Sequence, residues 1–477
     1  MTLETIAYSQ ETDVPVNFIG SMLDFVYQKY LTPQPERFTN VFRTTEQGES
    51  LLAFTVLDGT RKRIFRIEIK GSKPLKVRIT PLDEVTQDAV EDVKEDIVIA
   101  VELFEERVRQ NTLFFAWREG ESIVPEAVSG KENKSLRRIL LETQILLMVL
   151  FTAVGLFLFL IIPTLLVPII LLALQFVIVF YSSKLIARSA DWHITENNTD
   201  IHLLEYHLPL EEQEAFKKKY PKEKIKEIKR EVYEQTIAKK GEVDCNATRE
   251  IFVKNGIECN PESFTSKKVN VYEIVNKARK IFGFPMPEIV VSNTLLPNAA
   301  ASGPSPSRGV VLLTTGLLTQ LDENEILSVL GHEFGHLKGR DPLLLFGLSA
   351  AQYLLWFYVI LGLFPFGSLF LFFIYFWAIM TLIYFVAKFF EARADLISAI
   401  MVGQPLTLAE SLEKIGFKRL LFERLPSYRI QEWISFDAHP PIYFRINRLR
   451  KLKDADKIKH PLYQSAKDVT KGFVDSL

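Results

Sequence analysis

The sequence is poor in cysteine, and over two long stretches it has no charge at all. Two cysteines in 477 residues, Cys245 and Cys259, exclude a dense disulfide framework and any cysteine-based zinc site. Both read as free thiols. Basic and acidic residues nearly balance, leaving a net charge of -1. That lends no support to nucleic-acid binding, and the chain carries no DNA- or RNA-binding pattern. The start Met1-Thr2-Leu3-Glu4 runs into polar sequence. It has no basic region followed by an apolar core, so no cleaved signal is expected.

The missing charges define the architecture. None occurs between Glu142 and Lys184, or between Asp341 and Lys388. These stretches, 143–183 and 342–387, are 41 and 46 residues long. One membrane span needs roughly 20 apolar residues, so each stretch suits two. Pro163 and Pro168 interrupt the first, and Phe364-Pro365-Phe366-Gly367-Ser368 interrupts the second. Soluble helices rarely keep every face apolar for so long. Four transmembrane helices in two hairpins are therefore expected. Lys131, Lys134, Arg137 and Arg138 precede the first span, and Lys184 and Arg188 follow the second. Lys338 and Arg340 precede the third, and Lys388 and Arg393 follow the fourth, while both turns are uncharged. The positive-inside rule then places the soluble parts in the cytoplasm. A multi-pass protein of the cell's inner or plasma membrane follows, with lipid as a partner.

The polar sequence around these stretches is mixed α+β. Residues 1–130 form a soluble accessory domain in this reading, with a helix from Val16 to Tyr30. Strands are expected at Val41–Thr45, Leu51–Leu57, Ile64–Ile69, Pro74–Ile79 and Thr112–Trp117, with a helix over Leu82–Arg109. Asp58-Gly59 marks a hairpin turn. Residues 131–188 are the first transmembrane hairpin, 189–341 the first part of a second soluble domain, 342–388 the second hairpin, and 389–477 the rest of that domain. Helices are expected over Pro221–Lys240 and Val269–Phe282, and strands at Glu288–Ser292 and Gly309–Thr314. The segment Leu296-Pro297-Asn298-Ala299-Ala300-Ala301-Ser302-Gly303 lies between those two strands. Small residues near a strand edge let an extended peptide pair with the backbone; on composition alone the segment is a plain loop. His193, His202 and His207 show no ligand spacing.

The chemistry sits at His332-Glu333-Phe334-Gly335-His336. The preceding residues read as helix, with Asp322 as N-cap and Glu325 three residues on. Positions i and i+4 share a helix face, so both histidines can hold one metal ion. Glu333 sits one step round, within reach of a water on that ion, which is the metallopeptidase arrangement. The bland alternative is an amphipathic helix with two partly exposed histidines. A third ligand argues against it, and Glu391 is the candidate. The apolar hairpin between His336 and Glu391 starts and ends on one side, so it returns the chain to the site. Zn2+ would then be held by His332, His336 and Glu391, with Glu333 as general base. Asp395, four residues beyond Glu391, could accept the far N–H of a ligating histidine. Arg393 points elsewhere on that helix and reads as a surface or headgroup residue.

With these residues in place, the sequence resembles the membrane-embedded zinc metalloproteases that include the HtpX heat-shock protease and the CAAX prenyl endopeptidase. The resemblance rests on Pro297-Asn298-Ala299, the HExxH helix from Leu330 to Asp341, Glu391 with Asp395, and His439-Pro440 with Arg445-Ile446. It covers roughly residues 135–450, and four spans suit the HtpX-type branch. It implies a mainly helical, α+β integral membrane metallopeptidase; the extra N-terminal domain, residues 1–130, lies outside it. It also implies that Asn298 and Ala299 help hold a polypeptide substrate. His439 or Arg445 would support the substrate carbonyl, or His439 would block the zinc at rest. The expected activity is hydrolysis of membrane or misfolded proteins. The alternatives are a prenyl-protein endopeptidase and a catalytically silent scaffold; an intact ligand set with Glu333 argues against the scaffold.

Overall fold

The computed structural model describes all residues except 1–3, 47, 111, 121–152, 156, 159, 163, 164, 209–217, 361–368, 424 and 425. Most of the first expected span and both hairpin turns, with Thr164 and Gly367, lie outside the described residues. The chain divides into two compact units.

The first unit comprises 1–123, 202–267 and 416–421. Residues 202–267, expected with the second soluble domain, pack with the N-terminal residues instead. A five-stranded antiparallel sheet runs in the order Ile6–Gln10, Leu75–Pro81, Arg63–Lys70, Glu49–Leu57, Phe38–Glu46. Alternate residues Phe65, Ile67 and Ile69 are buried, as a strand's two-residue side-chain period requires. Helix Gln87–Gln110 contributes Ile97, Val101 and Phe104 to the buried set. A three-stranded sheet joins Thr112–Arg118, Asp200–His207 and Phe264–Asn270. Phe115, Trp117, Tyr206 and Phe252 form its core together with Cys245 and Cys259. Those cysteines are not free: they are joined in a disulfide, with Cα atoms 6.0 Å apart. Two cysteines 14 residues apart carry no local signal of pairing. The turn that follows helix Cys245–Lys254 brings them together.

The second unit holds the apolar helices and the HExxH segment. Three described helices are long and apolar enough to cross a membrane, within Val167–Ser189, Asp341–Ile360 and Ile374–Met401. Their apolar side chains stay exposed, among them Ile169, Val177, Leu344 and Trp377, as lipid-facing residues would. The last helix runs from Leu369 to Met401, 33 residues. At 1.5 Å per residue it spans about 50 Å, well over the ~30 Å hydrocarbon core. Its charged residues all lie in its C-terminal part, from Lys388 on.

A four-stranded sheet in the order Ala299–Ser302, Val310–Thr314, Glu288–Ser292, Trp192–Ile194 supports the site. The two central strands are parallel, and Val310–Thr314 is entirely buried. Strand Ala299–Ser302 is at the edge, antiparallel to its single neighbour.

Candidate metal centre

The HExxH helix spans Glu323–Gly339. Its start is fixed by a reciprocal cap: Asp322 accepts from Asn324 N and Glu325 N, and Glu325 accepts from Asp322 N, all at 2.8 Å. Arg340, in the left-handed region at φ 53, ends the helix and opens the next. Helix Leu369–Met401 packs against one face of the HExxH helix, and glycine makes that approach possible. A Cβ on Gly331 would lie 2.6 Å from Ser398 Oγ, and one on Gly335 would lie 3.0 Å from Ala394 Cα. The Gly331–Gly335 spacing puts both on one face. The close crossing carries Glu391 to the histidines.

Three potential ligand groups meet there. His332 Nε2 and His336 Nε2 are 3.2 Å apart. Glu391 Oε1 is 3.3 Å from His336 Nε2, and Glu391 Oε2 is 3.5 Å from His332 Nε2. The two contacts of Glu391 use different oxygens; with one ligand atom from each residue the three lie within 4.8 Å of one another, close enough to share an ion. Glu391 Oε2 is buried and has no hydrogen-bond partner, which a metal would remedy. Among the described residues this is the group of ligating side chains close enough to share an ion; His193, His202 and His207 are not in it.

Both far ring nitrogens are held by carboxylates. His332 Nδ1 is 2.8 Å from Asp395 Oδ1, and His336 Nδ1 is 2.7 Å from Asp341 Oδ2. This leaves each Nε2 facing the shared point. Burial disfavours charge on His336, but Glu391 and Asp341 outweigh it and hold its pKa well above the ordinary imidazole value. His332 is also raised: burial opposes it, and Asp395 and Glu391 win. The centre is built to hold positive charge.

Asp341 and Arg393 are the residues the sequence did not reveal. Arg393 is buried, not a surface charge. It donates to Asp341 Oδ1, and so braces the carboxylate that orients His336. The missing Cβ of Gly339 leaves room for its guanidinium. The available signal was Asp341 itself, an acid at the first position of an apolar helix, five residues after His336. Arg393 carried none, because its partner lies on another helix.

The other expected residues fall as follows. Glu333 Oε2 accepts from Ala301 N at 2.9 Å, tying the helix to the edge strand. Asn298 is exposed just before that strand, with its backbone N–H on Thr314 Oγ1 at 2.9 Å. Ala299 begins the strand, paired with Leu313. His439 Nε2 is 3.6 Å from Glu391 Oε2, and its Nδ1 is 2.8 Å from Asp437 Oδ1. Arg445 is buried behind the site, on Asp395 at 2.6 and 2.8 Å and 3.5 Å from His332 Nδ1. Burial opposes its charge, but Asp395 outweighs it and raises its pKa.

The family model described as "Peptidase family M48" matches residues 265–453. "Protease HtpX homolog 2" of Methanosarcina acetivorans is 30% identical over 223 residues, covering 39% of this chain and 74% of that one. The chain belongs to peptidase family M48. "Protease HtpX homolog" of Desulforapulum autotrophicum is 31% identical over 229 residues, covering 42% and 72% of the two chains. A solved structure titled "Crystal Structure of S. mikatae Ste24p" is 16% identical, covering 37% of this chain and 49% of that one, with a TM-score of 0.29; that overlap is too slight to carry an argument. This M48 protein is thus a membrane protease by kinship and by its apolar helices. The family match is narrower than residues 135–450. It contains the whole centre and leaves out residues 1–264.

Proposed function

We propose that this M48 protein is a zinc-dependent endopeptidase that cleaves polypeptides at the membrane surface. The observation that carries the reading is the triangle of His332, His336 and Glu391, with Glu333 one step from it. Zinc, when bound, supplies a Lewis acid that polarises the scissile carbonyl and makes water acidic enough to be deprotonated near neutral pH. Glu333 takes the proton of the attacking water and returns it to the leaving amine. Asp395 and Asp341 fix the histidine tautomers, and Arg445 and Arg393 fix those carboxylates. This gives Arg445 a positioning role, and leaves His439, on the Glu391 side, to support the substrate carbonyl. The edge strand beginning at Ala299, with Asn298 at its entrance, offers backbone groups to an extended substrate.

The architecture in this reading is four spans in two hairpins with an accessory N-terminal domain. The basic residues Lys184, Arg188, Lys338 and Arg340 put the soluble parts in the cytoplasm. The Cys245–Cys259 bond pulls the other way, because disulfides persist mainly in oxidising compartments.

The test compares zinc content with hydrolysis of a casein-like and a prenylated peptide. Glu333→Gln should keep close to one zinc per chain and lose nearly all hydrolysis of the casein-like peptide. Glu391→Gln should lose zinc affinity as well. Normal turnover in Glu333→Gln would refute the mechanism, and exclusive cleavage of the prenylated peptide would redirect the substrate class. The same assay on sealed vesicles reads orientation. Inverted vesicles, and not intact cells, should cut added peptide.

A further inference from the structure

The segment that follows helix Pro426–Ile434 runs back against the long apolar helix. Lys388 is fully buried and donates to the carbonyls of Ser435, at 3.4 Å, and Asp437. Phe436 stacks on Tyr384, ring centroids 5.8 Å apart. Tyr384 lies one turn before Lys388, inside the charge-free run. Phe436 is therefore held about 6 Å to the bilayer side of the first charged residue. It is 47% exposed, and its neighbour Ile434 is 38% exposed.

The C-terminal helix Pro461–Val474 reaches the same level from another direction. Near its start, Arg448 bridges Ser465 and Asp468 to the carbonyl of Ala392. Near its end, Phe473 packs on Phe385, centroids 5.5 Å apart. Ascending residues of this helix thus meet descending residues of the long one, so its end points toward the bilayer. The residues at that end, Val474 and Leu477, are 58% and 76% exposed. The stretch of the long helix before Phe385 has exposed apolar residues of its own, Leu382 and Trp377.

We propose that Ile434, Phe436, Val474 and Leu477 form a foot embedded in the lipid bilayer, at the boundary between headgroups and acyl chains around helix Leu369–Met401. Lipid is the occupant because the foot adjoins a flank that already faces lipid. The charges beside it (Glu432, Asp437, Lys471 and Asp475) suit the headgroup level. A protein partner would have to wedge between the bilayer and the long helix.

The full chain is tested in vesicles of phosphatidylcholine and phosphatidylglycerol. Cysteines at Phe436→Cys, Val474→Cys and Leu477→Cys are labelled with a polarity-sensitive fluorophore. Tyr463→Cys, 74% exposed and about 16 Å back along the helix from Val474, is the aqueous control. The native cysteines are paired with each other, so the unsubstituted protein gives the labelling blank. Lipids spin-labelled high on the acyl chain should quench the first three sites several-fold more than the control, and iodide should show the reverse order. Iodide quenching at Phe436 equal to that at Tyr463 would overturn the proposal. So would shielding of Phe436 from both quenchers, which would mean a protein covers it. Leu477→Cys, at an exposed residue beyond the end of the helix, decides between the same outcomes if Phe436→Cys does not fold.

Discussion

Each unit buries a cluster of charge, and the two clusters are stabilised differently. In the first unit Arg109 faces Glu102 at 3.3 Å and Glu105 at 3.4 Å, and Thr12 and the backbone of Asp13 donate to Glu105. Several carboxylates share one guanidinium. Burial, then the neighbouring carboxylates, raise the pKa of Glu102 well above the usual range, and burial with Asp13 raises Glu105. Burial followed by the charge of Asp13 pushes Glu205 up to about 7. In the second unit every oxygen of Asp395 faces a donor: Arg445 Nη2 and His332 Nδ1 on Oδ1, and Arg445 Nε on Oδ2. The difference teaches that burial alone does not decide the state of an acid. What decides it is whether cations balance the carboxylates gathered at the site. A buried cluster with more carboxylates than cations favours the protonated form. A fully paired one keeps its charges and can orient a metal ligand.

Three predictions put pressure on that contrast. The largest effect is expected from Arg445→Met. It leaves Asp395 buried with one partner, and removing one member of a buried pair costs about 3–5 kcal/mol. Arg109→Met should cost clearly less at pH 5, where Glu102 and Glu105 can take up protons. Denaturant unfolding of both proteins in detergent measures this, and equal losses would erase the distinction. Next come Asp341→Ala and Asp395→Ala, each of which frees one histidine ring. Each should weaken zinc about 10–100-fold, the typical result of losing an outer hydrogen bond to a ligand. Competition with a zinc chelator reads the affinity; an unchanged value for Asp341→Ala would remove the Arg393–Asp341–His336 chain from the site.

The smallest effect concerns pH. Glu205 has a folded pKa of about 7 against an ordinary value of 4.5. Between these values the folded state binds more protons than the unfolded state, so its stability falls as pH rises from about 4.5 to about 7. Hydrogen exchange in strands Thr112–Arg118 and Asp200–His207, corrected for intrinsic rates, should show protection falling across that window. Glu205→Gln should flatten the slope. An unaltered slope would move the titration to another group.

Much of the site was legible because local periodicity encodes it. His332 and His336 share a face by their spacing, Asp395 follows Glu391 by the same interval, and the Asp322–Glu325 cap is a local pattern. The hairpin strands around Asp58-Gly59 and the apolar helices were legible for the same reason. What escaped depends on contacts between distant segments. Arg393 looks like a surface charge until Asp341 is seen opposite it. Cys245 and Cys259 look free until a turn brings them together. Strand Asp200–His207 mixes His, Glu and Tyr with its apolar residues, and it is a strand because two neighbours accept it.

The long helix also governs how the protein meets its substrates. Glu391 follows the last charge-free position, Ala387, by four residues, a rise of about 6 Å. If the charge-free run marks the bilayer, as in the proposed function, a peptide bond reaching this centre comes almost to its plane. For a substrate that is itself anchored there, encounter is a search by lateral diffusion in two dimensions, and the shared membrane sets the effective concentration. Turnover in the cell then depends on the number of substrate molecules per area of membrane and on the length of chain that emerges from it. A freely dissolved peptide gains nothing from that confinement.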